Sequence, residues 1–244
     1  MTDRGLQLAG LKEGSRILDI GCGEGNTIAY LTEEKGMQAE GIDINLAAIA
    51  AAKEQHPGIN AAFGDGEFLD SYMSFTFDGV LMESSLSLIN MPDEALHEAY
   101  CVLKKGGKLI ISDLYEKDPD RDQMRAVRIE ANRQSRIPHQ EGDCEDRGMK
   151  FVDFRFEGAF YEQPLIRQLE ETGFHVIAFE DRSGDLQEWL AGNGESEASA
   201  VPDAKAGASP DEAALAKLSR YLKTEAGGKK RNIGYFQAVA AKPL

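Results

Sequence analysis

Cysteine, tryptophan and basic residues are scarce in this 244-residue chain. Its three cysteines, Cys22, Cys101 and Cys144, are widely spaced and form no Cys-x-x-Cys pair. We therefore expect neither a disulfide framework nor a structural zinc site, and no other metal. Lysine and arginine total 27 against 42 aspartates and glutamates, which gives a formal net charge of −15. Such a field repels polyanions, so a nucleic-acid partner is disfavoured.

Long apolar runs are also missing. No stretch approaches the roughly 20 apolar residues that cross a bilayer, and the N-terminal residues lack the apolar core of a signal peptide. A hydrophobic content of 42% still allows a packed core. These absences predict a cytoplasmic protein without a membrane partner, folded as one domain over residues 1–244; they leave its oligomeric state open.

Short apolar runs alternate with segments of helical spacing over the first 180 residues. This alternation is typical of an α/β fold, in which crossover helices connect parallel strands. In the fourth helix, Pro92 is expected at the start and the pair Gly106 and Gly107 at the end. Strands are predicted at 16–20, 38–42, 59–63, 77–82, 108–112 and 175–179, with a last alternating strand at 235–241.

Two segments interrupt the alternation. About fifty residues separate the fifth strand from the next helix, far more than a connecting loop needs. A charged helix is predicted at 118–136, with Arg121, Arg125 and Arg128 on one face; a solvated face is the favoured interpretation. The alternative is that an insertion at 116–160 caps the active site. Residues 191–213, rich in alanine, glycine and serine, are predicted to form a flexible loop.

A glycine-rich turn follows the first strand directly, in the sequence Ile17-Leu18-Asp19-Ile20-Gly21-Cys22-Gly23-Glu24-Gly25. Glycines let the backbone turn sharply and let a ligand approach closely, so a nucleotide-like ligand is expected at the strand ends. The alternative is a simple tight turn. The spacing is G-x-G-x-G, and the charge of Asp19 repels a pyrophosphate but suits a cation. Both features oppose a nicotinamide-dependent oxidoreductase.

Acidic residues also follow the second and third strands. Asp43 lies 24 residues after Asp19, and a carboxylate at this place can accept hydrogen bonds from a ribose diol. The alternative is that Asp43 caps the next helix. In Asp65-Gly66-Glu67, Asp65 can accept a hydrogen bond from an adenine amino group, or it can be an ordinary turn aspartate.

Together these motifs resemble the class I S-adenosylmethionine (SAM)-dependent methyltransferases, especially the small-molecule branch related to ubiquinone and menaquinone biosynthesis. Further matches are Phe77-Asp78-Gly79-Val80 and Leu103-Lys104-Lys105-Gly106-Gly107-Lys108-Leu109. The resemblance implies a Rossmann-like, seven-stranded, mostly parallel sheet with helices on both faces and an antiparallel last strand. It also implies SAM as cofactor, S-adenosylhomocysteine as product and a small molecule as methyl acceptor.

The resemblance assigns residue roles as well. Glu83 and Ser84, after the fourth strand, are expected to face the methyl group and the acceptor. The chain before the first strand is short, so the usual N-terminal cap helices are nearly absent and the insertion must supply any lid. No Asn-Pro-Pro-Tyr stands at Glu83–Leu86, which argues against methylation of amino groups on bases or glutamine amides. The implied cofactor-binding residues are Asp19, Gly21, Cys22, Gly23, Asp43, Ile44, Asp65, Gly66, Glu67, Glu83 and Ser84.

Methyl transfer is an in-line displacement for which the protein aligns the acceptor and excludes water. An oxygen or nitrogen acceptor can also need a base; the candidates are Glu83, Asp113 and Tyr115, with His139 more typical of a surface loop. Arsenite methyltransferases look similar over Leu96–Asp113 but need more free thiols. A non-catalytic SAM-binding partner and a methyltransferase of protein or RNA are also compatible with the sequence.

Overall fold

The computed structural model describes residues 2–134, 152–156, 158–192, 225–226 and 229–244. His139, Cys144 and nearly all of the predicted loop at 191–213 lie outside these residues. The elements in chain order are α1 (Thr2–Ala9), β1 (Arg16–Ile20), α2 (Asn26–Glu33), β2 (Gln38–Asp43), α3 (Leu46–Gln55), β3 (Asn60–Phe63), β4 (Phe77–Glu83), the 3₁₀ turn η1 (Leu86–Leu88), α4 (Pro92–Val102), β5 (Leu103–Glu116), α5 (Arg121–Gln134), β6 (Arg155–Phe156), β7 (Ala159–Phe160), α6 (Glu162–Thr172), β8 (His175–Asp181), α7 (Ser183–Gly192), β9 (Glu225–Ala226), β10 (Lys229–Lys230) and β11 (Ile233–Ala241).

Seven strands form the main sheet in the order β3-β2-β1-β4-β5-β11-β8. Pairing from β3 through β5 is parallel, whereas β11 runs antiparallel to both β5 and β8. The predicted α/β class and antiparallel last strand are therefore confirmed. The short strands β6 and β7, which extend the sheet beside the end of β5, were not predicted.

Apolar residues alternate between the two faces of the sheet, as the side-chain period of a strand requires. On one face, Ile17 packs in a cluster with Leu6 of α1 and Leu31 of α2. On the other face, Leu18 packs in a cluster that includes α4 and α6 residues such as Leu96. Each fully buried side chain of this kind contributes about 1.5–3 kcal/mol, so both layers of helices are held to the sheet mainly by apolar burial.

The predicted boundaries that differ most from the structure are the end of α4 and the two ends of β5. Pro92 starts α4 as expected, but the helix ends at Val102 and the Gly106–Gly107 pair lies inside β5. The reason is pairing with the end of the chain: Gly106 N–H donates to Lys242 O, and Lys242 N–H donates to Gly107 O, both at 2.9 Å. At its other end β5 extends to Glu116, because β11 pairs with it up to Ile233.

The residues before β1 form a helix that reaches the carboxyl ends of the strands. Helix α1 packs against β11 and β5, and Thr2 at its start hydrogen-bonds Glu83 at the end of β4. The short N-terminal segment thus contributes to this edge, which the sequence pattern assigned to the insertion alone. Among the described residues, no helix combines the length and apolar character needed to span a membrane.

Candidate functional site

The glycine turn after β1 has a backbone that only glycine adopts without strain. Gly21, Gly23 and Gly25 have φ angles of 79°, 53° and 79°, in the left-handed region that penalises a Cβ. A Cβ on Gly21 would also lie 2.3 Å from Ser85 Cβ. The Gly21 and Cys22 N–H groups donate to Ile42 O at 2.8 and 3.0 Å, which ties the turn to β2.

Asp43 joins the glycine turn to the start of α3. Its Oδ2 accepts from Gly23 N–H at 2.9 Å and its Oδ1 from Asn45 N–H at 2.7 Å. The N-cap of α3 is Asn45, whose side chain accepts from Ala47 and Ala48 N–H. Asp43 therefore does not cap the helix. It is half-buried at the strand end, where it can meet a ligand.

Three carboxylates, those of Asp19, Asp43 and Glu83, surround the turn. Burial raises the pKa of Asp19 well above its usual range, and the charges of Glu83 and Asp43 raise it further. Removal from water likewise raises the pKa of Glu83. Within the described residues, no lysine or arginine forms an ion pair with any of the three. A cationic ligand beside the turn would favour the ionised form of these carboxylates, which burial and mutual repulsion disfavour.

Among the described residues, the hydrogen-bond donors to Glu83 are neutral hydroxyl groups. Thr2 Oγ1 donates to its two oxygens at 3.1 and 3.0 Å, and Thr27 Oγ1 donates at 3.3 Å from the first turn of α2. Neither threonine stands out in the sequence, because the contact with Thr2 spans 81 residues and that with Thr27 spans 56.

The loop after β3 holds its acidic residues in different ways. Asp65 Oδ1 accepts from Glu67 N–H at 3.0 Å, and the side chain of Asp65 is only half-buried. Glu67 is 8% exposed, and its Oε1 accepts from Met91 N–H at 2.9 Å. Gly66 packs closely on β1, where a Cβ would lie 2.5 Å from Ile20 Cγ2. Of the pair, Asp65 is the one available to a ligand.

Ile44, directly after β2, is 65% exposed. An apolar side chain in this position offers a surface for a flat ring beside Asp43 and Asp65. Cys22 by contrast is buried against Ile28 and Ile49, and burial raises the pKa of its thiol. The thiol therefore stays protonated, and Cys22 takes part in the turn through its backbone.

We refer to residues 84–91, which follow β4, as the β4 loop. Ser84 has a φ of 56°, unusual for a residue other than glycine. Its exposed side chain hydrogen-bonds the hydroxyl of Tyr235 at 2.8 Å. Ser85 Oγ donates to Ile20 O at 2.6 Å, so the loop is tied to β1 at its start.

Asp113 and Arg155 hold the rest of the β4 loop. Asp113 is 1% exposed; it accepts from Ser87 N–H at 2.9 Å and from Leu114 N–H at 2.8 Å. Burial raises its pKa to about 6, although these bonds and Arg155 oppose the rise. The Arg155 guanidinium donates to four carbonyl groups of the loop, those of Leu86, Ser87, Ile89 and Asn90.

Tyr115 does not join these groups. Its ring packs edge-on against Phe179 and Phe236 at centroid distances of 5.7 and 5.9 Å. Burial and the nearby Asp181 raise its pKa to about 12. The structure thus brings Asp19, Asp43 and Glu83 together and places Asp113 beneath the neighbouring loop, while Tyr115 lies within an aromatic cluster.

A family described as a methyltransferase domain matches residues 11–150, more than half of the chain. The chain belongs to the class I SAM-dependent methyltransferases. The matched residues include the glycine turn, the three-carboxylate cluster and the β4 loop. They end before Arg155 and Tyr235, so the family match and the structural site overlap only in part.

Curated methyltransferases share moderate identity with the chain. Phosphoethanolamine N-methyltransferase 1 of Triticum aestivum is 27% identical over 179 residues, which cover 71% of this chain and 31% of that protein. Demethylmenaquinone methyltransferase of Renibacterium salmoninarum is 31% identical over 104 residues, or 43% of each chain. This chain therefore spans less than half the length of these relatives.

Solved structures agree on the fold. The [4+2]-cyclase SpnF superposes with a TM-score of 0.63 at 22% identity, covering all of this chain and 80% of that one. A phosphoethanolamine N-methyltransferase 2 of Haemonchus contortus, in complex with SAM, gives a TM-score of 0.60 at 20% identity and covers 99% and 53%. At such identities the likeness shows the methyltransferase fold alone, and one of these two proteins is described as a cyclase.

Proposed function

We propose that this methyltransferase transfers the methyl group of SAM to a small-molecule acceptor. The observation that carries the proposal is the cluster of Asp19, Asp43 and Glu83 around the glycine turn, which no lysine or arginine of the described residues neutralises. SAM carries a sulfonium and an ammonium group, and a cation stabilises carboxylates that would otherwise repel one another.

The cofactor portions fit the residues around the turn. Gly21 and Gly23 let the amino-acid portion approach the backbone, with Asp19 near the ammonium group. Asp43 holds the ribose: each carboxylate oxygen can accept two hydrogen bonds, and the bonds from Gly23 and Asn45 use one site on each. Asp65 takes the adenine amino group.

For the proton of an oxygen or nitrogen acceptor, we favour Glu83 as the base. It is half-buried beside the β4 loop and its pKa is raised, which makes it a better proton acceptor near neutral pH. Asp113 uses both oxygens on backbone N–H groups and positions the loop instead. Tyr115, packed among Phe179 and Phe236, is the least suited of the three.

A small acceptor is supported by the names of the relatives, which refer to phosphoethanolamine and demethylmenaquinone, and by a net charge of −15 that disfavours nucleic acid. We also propose that the insertion at 116–160 caps the acceptor. Its support is Arg155, which reaches back from this segment to the carbonyls of the β4 loop.

The test has two stages. Isothermal titration with S-adenosylhomocysteine measures cofactor binding, which we expect in the micromolar range for the wild type; no binding would overturn the cofactor assignment. Release of S-adenosylhomocysteine is then measured with a metabolite fraction and, separately, with protein and RNA fractions of a cell extract, with Asp43→Ala as the negative control. Release only with a macromolecular fraction refutes a small acceptor. Binding without release from any fraction indicates a non-catalytic SAM-binding protein.

We refer below to the ends of β1, β2 and β3 as the cofactor half of the site. The acceptor half is the β4 loop with the residues that hold it, Asp113, Arg155 and Tyr235. Glu83 lies between the two halves.

A further inference from the structure

Ser84 and Tyr235 belong to a hydrogen-bond chain that ends on a backbone carbonyl. Tyr235 is 2% exposed, and its hydroxyl lies 3.0 Å from Ser112 O and 2.8 Å from Ser84 Oγ. Ser112 O also accepts from Ser84 N–H at 2.7 Å. A carbonyl oxygen has two acceptor positions and no hydrogen, so these two bonds use its full capacity.

The direction of every proton in this chain follows. Because Ser112 O can only accept, the Tyr235 hydroxyl must donate to it; otherwise two buried oxygens would face each other at 3.0 Å without a hydrogen between them. The phenol has one hydrogen, so its oxygen must accept from Ser84. The Ser84 hydroxyl is thereby committed as a donor, and its exposed lone pairs are left as acceptors only.

Two further observations support a fixed orientation. The φ of 56° at Ser84 is a strained conformation that the surrounding contacts must maintain. Burial, then the charge of Asp113 and that of Glu83, raise the pKa of Tyr235 well above its usual range, although its bond to Ser84 opposes the rise. The phenol therefore keeps its proton and can donate it to Ser112 O.

We propose that Ser84 binds the N–H or O–H group of the methyl-accepting molecule as a hydrogen-bond acceptor, and that Tyr235 is the positioning residue that gives Ser84 this polarity. The inference rests on the proposed function, since it requires a small acceptor beside the β4 loop. It selects amines and hydroxyl compounds over acceptors whose nucleophilic atom carries no hydrogen.

The same chain excludes Ser84 as the base. In the transfer, a lone pair of the accepting atom forms the bond to the methyl carbon, and the electrons of the carbon–sulfur bond pass to sulfur. The N–H or O–H proton must then leave. Among the described residues, the groups in this chain behind Ser84 are Tyr235, which already holds its proton, and Ser112 O, which is too weak a base to receive one. Ser84 therefore orients the N–H or O–H group in the bound state, and that hydrogen bond breaks as the proton passes to Glu83, the base of the proposed function.

Binding of small probes in the presence of S-adenosylhomocysteine tests the selectivity. Saturation-transfer NMR is recorded with ethanolamine, phosphoethanolamine, glycine and catechol, whose accepting atoms carry hydrogen, and with pyridine and dimethyl sulfide, which carry no N–H or O–H group. We expect binding from at least one member of the first set and from neither member of the second. Binding of no hydrogen-bearing probe, or binding of pyridine or dimethyl sulfide at all, overturns the proposal.

Variants then distinguish a role of Ser84 as hydrogen-bond acceptor from a purely structural role of its contact with Tyr235. Ser84→Ala and Tyr235→Phe should each weaken binding of the probe about tenfold, and the double variant should lose no more than either single one. Tyr235→Phe, which changes none of the implied cofactor-binding residues, should leave the Kd for S-adenosylhomocysteine within about twofold. Ser84→Gly relieves the strain at φ 56° yet should lose as much as Ser84→Ala. Tyr100→Phe, which removes the hydroxyl of a ring packed edge-on against Phe174, is the matched control. Additive losses, or an equal loss of S-adenosylhomocysteine affinity in Tyr235→Phe, overturn the proposal; failure of that ligand to bind the wild type would instead refute the proposed function.

Discussion

The two halves of the site satisfy their polar groups in opposite ways. In the cofactor half, Asp19 lies buried with the charges of Glu83 and Asp43 nearby and no cationic partner among the described residues. In the acceptor half, Asp113 accepts two backbone hydrogen bonds and Arg155 donates to four carbonyls. The cofactor half is thus completed by a cationic ligand, whereas the acceptor half is already held together by the protein.

Because of this difference, we expect the cofactor half to determine cofactor affinity and the acceptor half to determine where the acceptor lies. Carboxylates left without a cation are unfavourable in the empty protein and become favourable when a positive ligand arrives, so the cofactor half responds strongly to binding. A loop whose N–H and C=O groups are already bonded changes little and can define where an acceptor lies. Substitutions of the polar side chains in the two halves should therefore differ in whether they change cofactor affinity or folding stability, whereas a glycine of the turn affects stability through backbone strain.

The largest effect on folding stability is expected at Gly21, because an added Cβ there would lie closer to a neighbouring atom than one at Gly25 of the same turn. Gly21→Ala adds a Cβ 2.3 Å from Ser85 Cβ at a φ of 79°. We expect a loss of about 3–5 kcal/mol in the free energy of unfolding, from backbone strain plus overlap, measured by urea denaturation.

Gly14→Ala is the matched control for this substitution. Gly14 has a φ of 78°, and an added Cβ would have nothing within 4 Å, so only the strain of about 1–2 kcal/mol should remain. Equal losses in the two variants would show that the contact with Ser85 does not constrain the turn.

Arg155 is the corresponding test of the acceptor half. Arg155→Ala leaves four loop carbonyls with fewer donors and removes a positive charge near Asp113. We expect a loss of about 3 kcal/mol in unfolding free energy, with S-adenosylhomocysteine affinity retained in the folded fraction. Arg167→Ala is the control, because its guanidinium is exposed and 4.0 Å from Asp153; the expected change there is under about 0.5 kcal/mol. A loss confined to cofactor affinity would contradict the division into halves.

Asp43→Ala should mainly change cofactor affinity. The substitution removes a charged acceptor that we assign to the ribose, worth about 2–3 kcal/mol, or roughly 30- to 150-fold in Kd. Isothermal titration with S-adenosylhomocysteine measures it. Glu40→Ala, on the same strand, loses an ion pair with Arg16 instead and should bind the ligand as the wild type does. Unchanged affinity in Asp43→Ala would remove the ribose assignment.

Asp19→Asn should have two small effects of opposite sign. A raised pKa means that the folded protein holds the proton more tightly, so this contribution to stability is complete below the unfolded pKa and is lost as pH rises through the folded value. At a pH of about 8 we expect the cofactor-free variant to be more stable by about 1 kcal/mol and to bind SAM roughly tenfold more weakly. Thermal unfolding from about pH 4 to 8, with and without SAM, measures both. A variant that is less stable under these basic conditions and has unchanged SAM affinity would contradict the role of this charge.

The predictable part of the fold is the part encoded locally. The parallel strands, the glycine turn and the acids after β1, β2 and β3 follow one another in the chain, so Asp19, Asp43 and Asp65 could be located from the sequence. Thr2 and Arg155 could not, because they meet Glu83 and the β4 loop across 81 and 65–69 residues. The prediction that β5 ends at residue 112 was wrong for a similar reason, because its pairing partner, β11, lies more than a hundred residues later in the chain.

The position of β11 also bears on the order in which the protein becomes functional during synthesis. This strand lies between β5 and β8, although it is the last element of the described chain. The residues up to β11 must therefore be synthesised before β5 and β8 can be joined through it, and contacts of such long range form slowly. Tyr235 arrives with that strand. Our proposal for Ser84 and Tyr235 therefore implies that the methyl acceptor is selected only after β11 has entered the sheet, whereas the glycine turn, Asp43 and Asp65 all precede β4 in the chain.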